Sequence, residues 1–322
     1  MFSPTHARIR PFMTKFLPLF LATLLPAMAG LTLEETATSM KILDDGKLIT
    51  EYRTDWKVPY LYPLVSPSGA QITRHWPAEP AIGDEEKDHP HHRSVWMGHG
   101  LVNGADFWAF QDDKNAKIVH HGFEGKGAIE GSPTFTADLE WNAEGKKLLT
   151  EKRTHTFRKI GNKTLEIDFA FALTAEEDIL FGDSKEGFFA FRLDRTLRLK
   201  GPSAKSHIVN SEGIADQETW GKRAKWVAYT GPDELGEPTV AALFDHPSNF
   251  RFPTYWHVRD YGLVSANPFG AHEFENKKDN KHLGDHPLKK DDMMTFKYSI
   301  VIHHGDIQSA ELNKLWETFS KN

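Results

Sequence analysis

The sequence predicts an all-β protein: a large antiparallel β-sandwich closed by a short C-terminal helix. Three observations predict it. Apolar residues recur mostly with period two from Leu31 onward, turn residues punctuate the strands so marked, and only Ile307 to Phe319 carries a helical stripe.

The elements follow in order. Asp44-Asp45-Gly46 and Pro67-Ser68-Gly69 are turn signals early in the chain, and Gly161-Asn162 is a third. Thr150 to Phe157 is a β-prone, polar strand. Thr164 to Leu173 alternates Leu165, Ile167, Phe169 and Phe171 or Leu173 with polar or small residues, as a half-buried strand does. Phe188 to Leu199, Trp226 to Thr230, Val240 to Phe244 and Thr295 to His303 carry the same pattern. Glu273 to Asp292, rich in Lys, Asp, Asn and His, reads as a solvated loop. At the end, Asp306 is placed to cap a helix striped by Leu312, Leu315, Trp316 and Phe319. No repeat, low-complexity run or linker divides residues 30–322. The expectation is therefore a single β-sandwich domain, larger than an immunoglobulin fold.

Residues 1–29 read as a secretory signal peptide. Arg8, Arg10 and Lys15 precede the apolar run Phe16–Leu25, and Ala27-Met28-Ala29 has the small-x-small pattern of a cleavage site. The run is too short to span a bilayer, so the expectation is a secreted or periplasmic protein with no membrane insertion after cleavage. Without those three cations the formal charge moves from −6 to −9, with 36 Lys plus Arg against 45 Asp plus Glu. An acidic body argues against a nucleic-acid partner. The absence of cysteine excludes thiol nucleophiles, iron–sulfur clusters and thiolate zinc sites.

One stretch concentrates chemistry. Asp88 to Trp108 (DHPHHRSVWMGHGLVNGADFW) holds His89, His91, His92 and His99, four of the 17 histidines, with Arg93, Asn103 and two tryptophans. Such a mix suits neither a core nor a solvated surface; it suits a polar small-molecule site. If His89 and His91 are extended, their side chains share one face and His92 points to the other. Phe244 to Gly270 is its expected partner, adding Trp256, His257 and Asn267, with Pro247, Pro253 and Pro268 stiffening its loops. Lys185 to Arg192 places Glu186 at the mouth of an apolar strand. Trp220 to Trp226 places Arg223 among other cations between two indoles, Trp226 being the second. His-x-His can ligate a transition metal, which makes His89, His91 and His99 metal candidates. No spacing matches a specific metal signature.

Taken together, DHPHHRSVWMGHGLVNGADFW, WGKRAKWV, FDHPSN and YGLVSANPFG resemble a family of exported bacterial proteins labelled methane oxygenase PmoA. The resemblance runs from about Ile49 to His304. It implies a metal-dependent oxygenase using copper or iron. The chain also resembles, more weakly, the galactose-mutarotase-like sugar enzymes, although their usual Asn-His motif is absent. That second resemblance implies a supersandwich with histidines and a carboxylate on one concave face, acting on a sugar hemiacetal.

Three functions follow. The favoured one is a carbohydrate-active epimerase, lyase or hydrolase that needs no cofactor. In it His91, His92, His257 and Glu186 move protons, while Arg93, His99, Asn103, Arg223, Trp226, Trp256 and Asn267 bind the sugar. The alternative is the copper or iron oxygenase, with His257 able to replace His99 as a ligand. The third is a non-catalytic carbohydrate-binding module.

Overall fold

The computed structural model describes residues 1–2 and 30–322. The signal segment read at residues 1–29 lies, save for its first two residues, outside the described residues. The strands of the first half are β1 (Leu31–Glu35), β2 (Met40–Asp44), β3 (Lys47–Arg53), β4 (Tyr60–Leu64), β5 (Val95–His99), β6 (Lys117–Ile129), β7 (Ser132–Ala143), β8 (Lys146–Ile160) and β9 (Thr164–Ala175). Those of the second half are β10 (Ile179–Phe181), β11 (Gly187–Arg192), β12 (His207–Asn210), β13 (Trp226–Pro232), β14 (Pro238–Asp245), β15 (Tyr255–Val258), β16 (Leu263–Asn267), β17 (His286–Leu288) and β18 (Met293–His304). Two short α-helices, α1 (Ala271–Phe274) and α2 (Leu312–Phe319), and one 3-10 turn, Asp216–Thr219, complete the order among the described residues.

The fold is the expected large antiparallel sandwich. One eight-stranded sheet has the order β1-β2-β3-β4-β5-β11-β16-β15; the other has the order β12-β13-β14-β18-β9-β8-β7-β6. A small ribbon pairs β10, between β9 and β11, with β17, which lies in the stretch read as a solvated loop. The sheets meet through one apolar core. In β9 the residues Leu165, Ile167, Phe169, Phe171 and Leu173 are buried while Asp168, Ala170 and Ala172 are less so, as the alternation requires. Phe189 of the first sheet crosses to Phe169, Phe171 and Tyr298 of the second, with ring centroids 4.6, 5.2 and 5.2 Å apart. Each such buried ring contributes about 1.5–3 kcal/mol of transfer free energy.

Two boundaries differ from the sequence expectation. The strand expected to reach Leu199 stops at Arg192. There Asp194 Oδ1 accepts hydrogen bonds from the Thr196 and Leu197 amides, a local side-chain turn that competes with the ladder. The C-terminal helix starts at Leu312, not Ile307. Asp306 instead accepts the Ser309 amide in a separate turn, and Glu311 adopts a left-handed φ of 47° before the helix begins. Leu312 and Phe319 of α2 cover Trp226, Val240 and Phe244 on the outer face of the second sheet.

Candidate active site

Strand register builds the floor of the site. Tyr60 of β4 lies opposite Trp96 of β5, Trp96 opposite Ala190 of β11, Ala190 opposite Ser265 of β16, and Ser265 opposite His257 of β15. Opposed residues share a face, so these five side chains form one row across five strands, roughly 19 Å wide at the usual strand spacing. Phe189, one residue from Ala190, enters the core. The row therefore lies on the outer face of the first sheet.

The segment before β5 covers this row, and one arginine fastens it. Buried Arg74 donates to the backbone carbonyls of Glu86, Asp88 and His89, each at 3.1 Å, and pairs with Asp88 Oδ1 at 2.5 Å. Inside that clasp His89 takes a left-handed φ of 43°, and the His92 amide donates to the His89 carbonyl at 2.9 Å. A left-handed residue that is not glycine costs about 1 kcal/mol, which the clasp and the turn offset. The turn corrects the expectation that an extended chain splits these histidines between two faces. The His89 and His92 rings stack with centroids 4.7 Å apart and planes 10° apart, and His91 meets His92 edge-on at 4.4 Å. His92 lies in turn on Trp96 at 5.0 Å, Trp96 is 5.0 Å from Trp108, and Tyr261 stacks on His89 at 5.3 Å.

Charge organises the same group. The Asp88 carboxylate receives Arg74 and Arg192 on one oxygen and His89 Nδ1, at 2.5 Å, on the other. Partial burial opposes its charge, but the His89 hydrogen bond and the two guanidiniums outweigh that and hold its carboxyl well below the usual carboxylate range. An ionised carboxylate only accepts, so His89 Nδ1 carries a proton and the Nε2 edge of the ring is the one turned away from Asp88. Arg192 Nη1 lies 3.1 Å from His92 Nδ1. A guanidinium only donates, so His92 accepts at Nδ1 and carries its proton on Nε2. Burial, then the charges of His91 and Arg192, hold His92 neutral with a pKa well below the ordinary imidazole value. Burial and the nearby His89 push His91 down to about 4. Four buried polar atoms of this cluster have no protein partner: His91 Nδ1, His92 Nε2, Trp96 Nε1 and Trp108 Nε1.

The profile of one protein family matches residues 39–317. The chain belongs to DUF6807, a family of unknown function. The match encloses all four motif segments quoted above and names no activity, so it carries no methane-oxygenase label. No curated protein matches the chain in sequence. Among solved structures it is similar to a galactose mutarotase related enzyme from Lactobacillus acidophilus, at 12% identity and a TM-score of 0.31, covering 85% of this chain and 97% of that one. It is also similar to a GalM/aldose epimerase homologue from C. elegans, at 10% identity and a TM-score of 0.33, covering 86% and 100%. The heparan sulfate lyase HepC from Pedobacter heparinus is similar at 10% identity and a TM-score of 0.35, covering 87% of this chain but 36% of that one. Likenesses of that size carry no inference about activity.

In this DUF6807 chain the residues singled out from sequence divide by position. His89, His91 and His92 come together as described. His257 ends the floor row; burial pushes its pKa down to about 3, against a 2.8 Å hydrogen bond from Nδ1 to the Lys185 carbonyl. Glu186 stands part-exposed beside Lys185, with Oε1 3.5 Å from Nζ. Arg93 lies over Trp56 at 4.5 Å and Tyr60 at 5.7 Å, at the Tyr60 end of the row. The others lie outside the cluster. His99 faces away from it, bonds Gly182 O through Nε2 at 2.7 Å, and packs among Phe181, Phe188 and Phe269. Trp256 points into the sandwich core with its indole donating to Ala224 O. Trp226 lies on the other sheet under α2 and donates to Asn313. The Arg223 guanidinium is committed to the carbonyls of Arg251, Phe252 and Pro253. Asn103 braces a turn through Glu177 and Leu180, and Asn267 through Ser184, Phe269 and Gly270.

The same positions bear on a metal. Copper, iron or zinc would need imidazole nitrogens converging to about 2 Å from one point, in the ring planes. His89 and His92 lie in near-parallel stacked planes, His89 Nδ1 is taken by Asp88, and His99 is elsewhere. Among the described residues no three His, Asp or Glu side chains converge as a metal set. The candidates His89, His91 and His99 do not fit the ion. Sequence reasoning missed Arg74 and Tyr261. Nothing local marks Arg74, whereas Tyr261 follows His257 by four residues across an Asp-Tyr-Gly turn that could have flagged it.

Proposed function

We propose that this DUF6807 chain is an exported carbohydrate-active enzyme that removes a proton from a sugar bound over the His89–His92–Trp96–Trp108 group. One observation carries the proposal: four neutral rings packed against one another, His91, His92, Trp96 and Trp108, each leave a buried polar atom unpartnered. Buried donors without acceptors are costly, each at about 1–3 kcal/mol, and hydroxyl-rich ligands supply acceptors while the ring faces accommodate their C–H surfaces.

The roles follow from the tautomers. His89 Nε2 takes the proton. Asp88, ionised and held by two arginines, orients the imidazole and stabilises the cation that forms. His92, fixed neutral, donates from Nε2 to the sugar oxygen on which negative charge grows, and the Trp96 and Trp108 indoles donate beside it. His91, also neutral, borders the same space. Proton removal of this kind opens an epimerase or lyase reaction, and these roles favour those two over a hydrolase.

The test is a thermal-shift and turnover screen of neutral and acidic sugars on wild-type, His89→Asn and His92→Ala protein. A ligand that binds only the folded form raises the melting temperature. The expected outcome is that at least one sugar binds wild-type protein and is turned over, with both variants slow. Binding without turnover on every sugar would leave a non-catalytic module, and no binding at all would end the carbohydrate reading.

A further inference from the structure

We infer that the sugar bound at this site carries a carboxylate, as a uronate does, seated on Arg259. The inference rests on the carbohydrate reading and narrows it to one chemical class. Its starting point is an inventory of cations. Among the described residues the guanidiniums of Arg53, Arg74, Arg153, Arg158, Arg192, Arg198, Arg223 and Arg251 donate hydrogen bonds to carboxylates or carbonyls, and Arg195 donates to the Ser203 hydroxyl and pairs with Asp84. Arg93 and Arg259 are the two, among the described residues, whose guanidiniums have neither a hydrogen bond nor a carboxylate within 4.0 Å. Arg93 is spread over the Trp56 and Tyr60 rings, which supply its counter-surface.

Arg259 has one ring, Tyr261, where Arg93 has two. It follows His257 by two residues where β15 ends, so it continues the outer face of the floor row. Its guanidinium is 5.6 Å from the Tyr261 ring, and that ring stacks on His89. It is half-buried, and its charge is felt by both His257 and Tyr261. A partly desolvated guanidinium with all its donors free is a poor structural element and a good anion receptor. Its planar fork matches a carboxylate in two parallel hydrogen bonds. The chain as a whole is acidic, so a free cation beside the proposed base is not a by-product of a basic surface.

The experiment is calorimetric titration with glucuronate, galacturonate, glucose, galactose and glucose 6-sulfate, on wild-type, Arg259→Gln and Arg259→Lys protein. The expected result is a uronate binding about ten- to hundredfold tighter than its neutral parent. Arg259→Gln is expected to erase that preference and Arg259→Lys to keep part of it. The Arg259 guanidinium holds nothing else in the fold, so unchanged melting temperatures are expected and exclude misfolding as the cause. Equal binding of neutral and acidic sugars, or a preference that survives Arg259→Gln, overturns the inference while the sugar site stands. Preference for the sulfate ester over the uronate overturns the carboxylate assignment. No binding by any sugar removes the underlying reading and this inference with it.

Discussion

Two histidine–carboxylate pairs lie within fifteen residues of each other in the chain, and they are built for opposite ends. In one, Glu85 Oε1 accepts His75 Nδ1 at 3.0 Å and the His75 amide at 2.9 Å, while Oε2 accepts the Trp76 and Ile82 amides at 3.3 Å. That carboxylate is saturated by the backbone it organises; burial opposes its charge, yet the His75 and amide hydrogen bonds lower its pKa. In the other, Asp88 is held by side chains alone on its two oxygens, and its partner His89 lies on a stack of rings that ends in unpartnered donors. The difference teaches that a His–carboxylate contact is not in itself a catalytic mark. What surrounds the pair decides: backbone amides make a brace, and unspent donors on rigid rings make a reactive surface.

The largest expected effect separates the two pairs directly. His89→Asn is expected to lower turnover of the true substrate by about a hundred- to ten-thousandfold with little change in melting temperature. His75→Asn should leave turnover alone. Steady-state kinetics on both variants checks this, and an inactive His75→Asn protein that is still folded would erase the distinction. Next comes the brace itself. Glu85→Ala strands three backbone amides and is expected to cost about 3 kcal/mol in urea unfolding, with kcat of the surviving folded enzyme unchanged.

Acid sharpens the contrast through its sign. His91, His92, His99 and His257 have folded pKa values below the unfolded value near 6.5. The unfolded chain therefore binds more protons below that pH. Stability is fully present above about pH 6.5 and is lost as pH falls from there toward about 4, by about 1.4 kcal/mol per pH unit for each such histidine. His257→Asn, which can still donate to the Lys185 carbonyl, is expected to recover about 2 kcal/mol of the loss between pH 7 and pH 5. Paired urea melts at the two pH values measure it, and an unchanged difference would show that His257 is not buried neutral. His75 has the opposite sign and the smallest effect. Its Glu85 hydrogen bond raises its pKa against partial burial, so its contribution is complete below the unfolded value and fades as pH rises through the folded one. The slight decline in stability above pH 6.5 is expected to vanish in His75→Gln.

The second sheet was legible in the sequence because its strands are half-buried. β8, β9 and the first half of β18 write their two environments as alternating residues, and Leu165 to Leu173 is the clearest line of it, whereas α2 buries the outer face of β13 and β14 as well. β5 and β16 are buried on both faces, one by the core and one by the covering segments, so their sequences carry no period; β11, buried likewise, was read as a strand all the same from Phe188 onward. Val95 to His99 could not be recognised as a strand for that reason. The histidine cluster stood out by composition. Its geometry did not, because the left-handed turn at His89 depends on Arg74, fourteen residues before Asp88. Period two did hold the answer for Trp256. If His257 lines the outer face, its neighbour must point into the core, and so it does. Trp226 and Arg223 were grouped with the site by their chemistry alone; the pairing of β13 with β14, in the other sheet, separates Trp226 from it, and the carbonyls of residues 251–253 occupy Arg223, which precedes that strand and bridges to Tyr255.

The Arg74 clasp decides what a bound molecule meets. One side chain grips the peptide at Glu86, Asp88 and His89 and is itself rooted in the protein interior. Ground riveted down in this way cannot swing open as a flap. Whatever lodges over these rings therefore meets edges whose positions are already set.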